Sequence, residues 1–584
     1  MLQHFSKQLF EGSLYPRWLG GLNFGYGSPT FMFYPPAAMY LGSTFKALGL
    51  DAERSLAAVF LLATFTAGLG FYVYGRLHWH SVSALVGAVA YMTAPYMIYN
   101  AYHRGALAEV LAASLLPFGL FFTDRLLLLG KGWLALSLLF AALSLAHLPS
   151  LLLYVIAWSI YVALYVVVQR LSFKRIFHLA TAPLIGFGLS SFYLIPAVLE
   201  KKLVNLDYMR RVSGGFAANL LPLTGAPQQG LSGHLISIFR YGLFSTVVCL
   251  LVVVACGTLG MALIQGRLTA SWLKRSLPWF IALAAVSFLM SLASYGLWAA
   301  SPTLQMVQFP WRLMGLFTLI YAGAFGLAVE SVGLFLRFWP PSNSAEDEPI
   351  DPRPRKGFSR LVSSVFSRKV LHMGGFLTAA LLVCLIGWNM KYAYVLGGRY
   401  HSFYQPGNLS AARAENRWQA TAYDRAVLIL NDPYSNKLGE VAEYLPLLPN
   451  TNVVVPRPSP GEPSVTVASG QADIKVEQWK GEYRRFMATV NQASELHIRT
   501  YNYPAWHGYI NGKATPIQTT SDGLIGLTLA PGSYMVELRY QATPAMKLGC
   551  LLSGLSLICL GILYLASRTK SLKAKRLKRQ TFLQ

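Results

Sequence analysis

Short motifs scattered through the chain combine residue types that suit phosphate and sugar chemistry. "YHRGALAE" carries His103, Arg104 and Glu109, and "LAHLPS" carries His147. "LIPAVLEKK" ends in Glu200, Lys201 and Lys202, and "VQFPWR" holds Gln308 and Arg312. Arg17 stands in "YPRWLGGLNFGYGSPTFMFYPP", a stretch too broken for a long helix and too apolar for an ordinary loop. Arginine and lysine hold a phosphate or diphosphate through paired, charge-assisted hydrogen bonds. A carboxylate deprotonates an acceptor hydroxyl or holds a divalent cation. Aromatic rings stack on a sugar face.

Each motif also has a plainer account. Arg104 and Glu109 suit a structural ion pair as well as a ligand site. His147 before Leu-Pro suits a turn cap. Glu200 with its two lysines reads as a solvated helix end, and Arg312 after Pro-Trp suits an interfacial anchor. The aromatics of "FGYGSPTFMFY" suit a membrane-interface belt, with Trp18 and the tyrosines at headgroup level.

The elements that must position these residues are transmembrane. Of 584 residues, 54% are hydrophobic and 12% charged, about half the charged share of soluble domains. Apolar runs long enough to cross ~30 Å of hydrocarbon recur along the chain. We read eleven spans, near 55–75, 82–99, 107–124, 132–147, 149–168, 177–198, 241–263, 277–299, 311–336, 370–389 and 547–567. The net charge of +25 would suggest nucleic acid in a soluble protein. Here the basic residues fall in alternate connectors: Arg76; Arg125 and Lys131; Arg170, Lys174 and Arg175; Arg267, Lys274 and Arg275; 353–369; and the C-terminal tail. One-sided retention of Lys and Arg explains them and places those connectors in the cytoplasm. No nucleic-acid partner is expected. The five cysteines lie in apolar runs without metal-type spacing.

This parity puts the remaining connectors outside the cytoplasmic face of a plasma membrane, with the C-terminus inside. Residues 1–54 form an external loop with an interfacial helix. Pro35 and Pro36 break the apolar stretch around them before it can cross. Residues 55–336 form the helical core and 337–369 a flexible cytoplasmic loop. Residues 390–546 form an external α+β domain, helix-like around 409–430. Its second half alternates apolar and polar residues, as in "ELHIRTYNY" and "SYMVELRYQ". That period, with a turn at Asn511-Gly512, predicts an antiparallel β-sandwich. The motifs that carry chemistry then share one side.

Together "LYPRW", "GYGSPTFMFYPP", "HRGALAE", "LAHLPS", "FYLIPAVLE", "VQFPWR" and "YNYPAWHGYINGK" resemble the bacterial multispanning proteins grouped as 6-pyruvoyl-tetrahydropterin synthase-related. The last motif, with "GLIGLTLAPGSYMVELRY", is similar to the external β module of YfhO-type membrane proteins. The three-histidine zinc cluster of pterin synthases has no counterpart in the sequence. The architecture instead resembles the GT-C membrane glycosyltransferases, in which a first external loop carries a Pro-Pro motif like Tyr34-Pro35-Pro36. A second external loop carries an acidic residue matched by Glu109.

The resemblance implies a polytopic GT-C-like protein that moves a sugar from a polyprenyl-phosphate donor to a glycan or lipid acceptor on the outer face of the bilayer. Glu109 would be the acid/base or a metal ligand, with a divalent cation as the one cofactor considered. Arg17, Arg104 and Arg312 would hold donor phosphate, with Tyr34, His103, His147 and Gln308 lining the substrate. GT-C enzymes also place an aspartate early in the first loop, after a first span. The first aspartate here is Asp51, and Glu11 sits too near the Pro-Arg-Trp motif to replace it. The expectation is therefore either a start upstream of Met1 or a non-catalytic relative. A non-catalytic assembly factor and a transporter or flippase for lipid-linked glycans are the alternatives.

Overall fold

Helices that pack through small residues in their first half give way to a single β-sheet in the second. The computed structural model describes residues 1–169, 171–205, 215–222, 233–265, 281–338 and 461–582, with residues 387 and 458. Nearly all of the expected span 370–389 and of the 337–369 loop, the helix-like stretch 409–430 and the connectors at Arg267, Lys274 and Arg275 lie outside the described residues.

Among the described residues, seven helices are long and apolar enough to cross a membrane: Ala52–Gly75, Ser81–His103, Leu107–Leu129, Leu148–Val167, Leu235–Ala255, Pro310–Ser331 and Pro544–Leu565. A bent pair, Phe173–Leu189 and Ser191–Leu199, makes an eighth if it counts as one span. We label the helices of the first third α1 (Leu2–Phe10), α2 (Thr30–Phe33), α3 (Ala37–Ala47), α4 (Ala52–Gly75), α5 (Ser81–Met92) and α6 (Pro95–Ile98). They continue as α7 (Leu107–Leu129), α8 (Trp133–Ala146), α9 (Leu148–Gln169), α10 (Phe173–Leu189) and α11 (Ser191–Leu199). Asp51 caps α4 by accepting the Arg54 backbone N–H at 2.7 Å. Along α4, Ala63, Ala67, Gly68 and Gly70 are buried. Small residues let helix backbones approach where lipid supplies no hydrophobic drive.

Three expected spans take a different form. The 132–147 run is the 14-residue helix α8, about 21 Å long and short of the hydrocarbon thickness. The 177–198 run bends by 75° between α10 and α11. There Ser190 and Ser191 donate side-chain hydrogen bonds to the Gly186 and Phe187 carbonyls, a back-bonding pattern that bends helices. The described part of the 277–299 run is helical over Ile281–Met290 and breaks at Ser291, which bridges to Leu221.

Residues 1–54 are folded rather than loop-like. The "FMFYPP" stretch begins in one helical turn, α2, leaves it extended at Tyr34, and Pro36 precedes the 11-residue α3. Trp18 faces the protein rather than its surroundings: it is wholly buried, its ring 5.7 Å from Trp506, 5.8 Å from Tyr540 and 6.1 Å from Tyr503. The N-terminal segment is thus a strap against the β domain. Gly20 has no Cβ because one would meet the Gly481 backbone at 2.9 Å.

The β domain comprises β1 (Val465–Lys480), β2 (Tyr483–Tyr501), β3 (Trp506–Ile510), β4 (Lys513–Thr515), β5 (Gln518–Thr519), β6 (Leu524–Leu529) and β7 (Gly532–Tyr540). The expected sandwich of two sheets is one continuous antiparallel sheet, a half-barrel. The cause is the length of β2: its first half pairs with β7, its second half with β6, and β1 pairs along both. Register shifts in β1 at Val467, Ser469 and Gln471 let the pair bend between the two arms. The enclosed core includes Phe486, Leu496, Ile498, Ile525, Val536 and Leu538. Asn511 and Gly512 turn β3 into β4 with positive φ, as their types predict. The C-terminal helix Pro544–Phe582 follows directly, packing on α11.

Candidate functional site

Helix α6 begins with Pro95 and runs into a π-helical turn, Tyr99–His103. Gly105 then takes φ +60°, a left-handed position suited to glycine. Ala106 N–H closes the turn on the Asn100 carbonyl at 2.8 Å. This folds the start of α7 back beneath the turn and sets Glu109 in its first helical turn, where the helix dipole favours a carboxylate.

Glu109 is buried and surrounded by donors. Tyr96 Oη donates to Oε1 at 2.5 Å and Asn100 Nδ2 lies 3.4 Å from the same oxygen. Arg104 Nη1 donates to Oε2 at 2.9 Å, and Arg312 Nε stands 4.0 Å from it. Arg104 Nη1 also reaches Asn100 Oδ1 at 2.5 Å, and its guanidinium lies 4.5 Å over the Trp311 ring. Arg312 lies 4.7 Å over the Phe309 ring and donates to the Val307 carbonyl at 2.6 Å.

His147 and Tyr34 complete the cluster. His147 is buried and within electrostatic reach of Glu109, Arg104 and Arg312. It caps α9: Ser150 N–H donates to its Nδ1 at 3.3 Å, with Ser150 Oγ at 2.8 Å. An accepting Nδ1 assigns the proton to Nε2, so the ring is neutral and carries one N–H donor. Tyr34 ends α2 in the electrostatic field of Glu109 and Arg312. Among the described residues the cluster therefore brings two guanidinium groups to one carboxylate, with phenol, amide and imidazole N–H donors besides.

The structure does not bring the other expected residues into this cluster. Arg17 belongs to the strap: Nη2 donates to the Phe192 carbonyl at 3.1 Å and its guanidinium lies 4.2 Å from the Tyr15 ring. His103 is exposed and stacks on Tyr99 at 4.7 Å. Gln308 acts through its backbone: with φ +67° it turns the chain so that the preceding Val307 carbonyl meets Arg312.

Tyr96 and Asn100 are members that the sequence reading missed. Their signal was available, since Tyr96, Asn100 and Arg104 recur every four residues, one face of a helix. Glu200 is the other surprise. It is not a solvated helix end but is buried, taking hydrogen bonds from Tyr503 at 2.5 Å and from Thr543.

A family model, the 6-pyruvoyl-tetrahydropterin synthase related domain, described as a membrane protein, matches residues 31–334. The chain belongs to this family. The matched segment holds every member of the Glu109 cluster, whereas Arg17 and the β domain fall outside it. No curated protein and no solved structure matches the chain. Among the described residues, no group of three or more His, Cys, Asp or Glu is placed to hold a metal ion. The Glu109 surroundings fit a divalent cation poorly, because both carboxylate oxygens already face cationic or neutral donors.

Proposed function

We propose that the Glu109 cluster binds the phosphate of a polyprenyl-phosphate-linked sugar and that the protein transfers this sugar to a glycan or lipid acceptor. The observation that carries the reading is the convergence of donors: Arg104 and Arg312 stand together at one buried carboxylate. Planar guanidinium groups held side by side suit a phosphate. The rings of Trp311, Phe309 and Tyr34 stand beside the arginines, where a sugar would lie.

In the reaction an acceptor hydroxyl oxygen bonds to the anomeric carbon of the donor sugar. The bond from that carbon to the phosphate oxygen breaks, and its electron pair leaves with the lipid phosphate, held by Arg104 and Arg312. Phosphate binding draws the arginines from Glu109, which then accepts the proton of the attacking hydroxyl. No step needs a metal. The cluster and the β domain face the non-cytoplasmic side of a plasma membrane, and the basic C-terminal tail faces the cytoplasm, by the distribution of Lys and Arg. Impermeant labelling of intact cells should reach cysteines placed in the β domain and spare the tail; the reverse pattern overturns this orientation.

The deciding experiment is reconstitution of the full chain in liposomes with a polyprenyl-phosphate-linked radiolabelled hexose and a glycan acceptor. Transfer of label supports the reading, and its absence with a panel of sugars removes it. A second reading, a non-catalytic assembly factor, is favoured by the saturation of Glu109 with structural partners. Under that reading Glu109→Gln leaves the cellular phenotype intact.

A further inference from the structure

Between α1 and the turn from β1 to β2 lies a cleft of about 400 Å3 lined by polar and aromatic residues, within the roughly 300–1,000 Å3 of small-ligand sites. Its walls include Ser13 from the strap and Glu482, Tyr483, Tyr540 and Gln541 from the β domain. The chemistry differs from that of the Glu109 cluster. Lys480 and Arg539 are matched by Glu11 and Glu482, so no surplus of positive charge draws an anion, and the two carboxylates repel one.

The polar groups are only partly used within the protein. Glu482 Oε2 accepts from Ser13 Oγ at 2.9 Å, leaving Oε1 without a hydrogen-bond partner among the described residues. Burial raises the Glu482 pKa, as expected for a carboxylate short of donors. Gln541 donates through Nε2 to Tyr509 Oη at 2.7 Å, and its side-chain oxygen has no partner among the described residues. Tyr540 carries a buried hydroxyl with no partner among the described residues. Carboxylate and amide oxygens take hydroxyl donors, and tyrosine rings offer flat apolar faces.

We propose that this cleft is a subsite for a neutral sugar unit of the acceptor glycan. That it serves an acceptor rests on the transferase reading; that it holds a neutral sugar does not. The strap links the two places, since Ser13 stands at the cleft and Tyr34 at the Glu109 cluster.

The test uses the full chain in nanodiscs, with chitotriose, mannotriose and maltotriose as neutral probes and inorganic phosphate as competitor, read by saturation-transfer NMR. At least one trisaccharide should bind and phosphate should not displace it. Glu482→Gln should weaken binding about tenfold, the scale of losing a hydrogen bond to a charged group. Gln541→Leu should weaken it by a smaller factor, and the circular dichroism of both variants should match that of the parent. The proposal is overturned if no trisaccharide binds, if phosphate displaces the sugar, or if both variants bind as the parent does. Sugar binding without transfer in the liposome assay keeps this subsite and removes the transferase reading.

Discussion

Tyr503 of the β domain donates its hydroxyl to Glu200 at the end of α11 at 2.5 Å, across 303 residues of sequence. Thr543, just before the C-terminal helix, takes the other carboxylate oxygen. Glu200 is buried, so its removal strands two hydroxyls at the seam between bundle and sheet. Glu200→Ala should cost about 1–3 kcal/mol for each stranded group. A double-mutant cycle with Tyr503→Phe should return a coupling of about 1.5–3 kcal/mol, the worth of a hydrogen bond to a charged group. Thermal unfolding in detergent measures both, and simple additivity of the two substitutions contradicts the contact.

That seam marks where the sequence stopped being legible. Apolar length identified the seven long helices, because the requirement to satisfy every backbone group in lipid is local, but it also marked as spans the short helix α8, the bent α10–α11 pair and the broken 277–299 run. Strand alternation and the Asn511-Gly512 turn were legible for the same reason. The closure of the sheet was not: one long strand, β2, feeds two arms, and nothing in its alternation says where pairing changes from β7 to β6. Glu200 looked like an ordinary charged helix end, since its partners Tyr503 and Thr543 lie far along the chain. In the candidate site Glu109, Arg104, His147, Tyr34 and Arg312 were legible as polar groups in apolar surroundings. Arg17 was misplaced because polarity alone does not distinguish a strap residue from a site residue.

Arg104 and Glu109 make separable predictions. Arg104→Lys keeps the charge but loses the planar guanidinium whose Nη1 serves Asn100 and Glu109 together. It should lower turnover by about 10²–10³, the scale of removing a preorganised donor. Glu109→Gln should abolish turnover while retaining the lipid-phosphate ligand. Equilibrium binding of a fluorescent polyprenyl phosphate, measured beside the liposome assay, separates the two effects. Equal losses of binding and turnover in Glu109→Gln would make Glu109 a scaffold for the arginines only.

A second buried carboxylate supplies the control. Asp124 lies 15 residues beyond Glu109 on α7, ~22 Å along the helix. It pairs with His78 Nε2 at 2.7 Å and accepts the Tyr161 hydroxyl at 2.5 Å. Its side chain is 4% exposed, so solvent does little to weaken these bonds. Asp124→Asn should lower stability by about 1–3 kcal/mol and leave the KM for donor lipid unchanged. A shift in that KM would show that the two ends of α7 are coupled.

The strap and the β domain also meet through a titrating group. Burial raises the Glu482 carboxyl pKa above its ordinary value, against the opposing effects of the Ser13 hydrogen bond and Arg17. Between the ordinary and the raised value the folded protein binds more protons than the unfolded chain, so stability falls as pH rises through that window. Glu482→Gln, which does not titrate, should flatten the decline. Ser13→Ala removes a bond that favours the ionised form and should steepen it. Unfolding midpoints from pH 4 to pH 7 for the three proteins measure the slopes, and parallel curves would mean that Glu482 titrates alike in the folded and unfolded states.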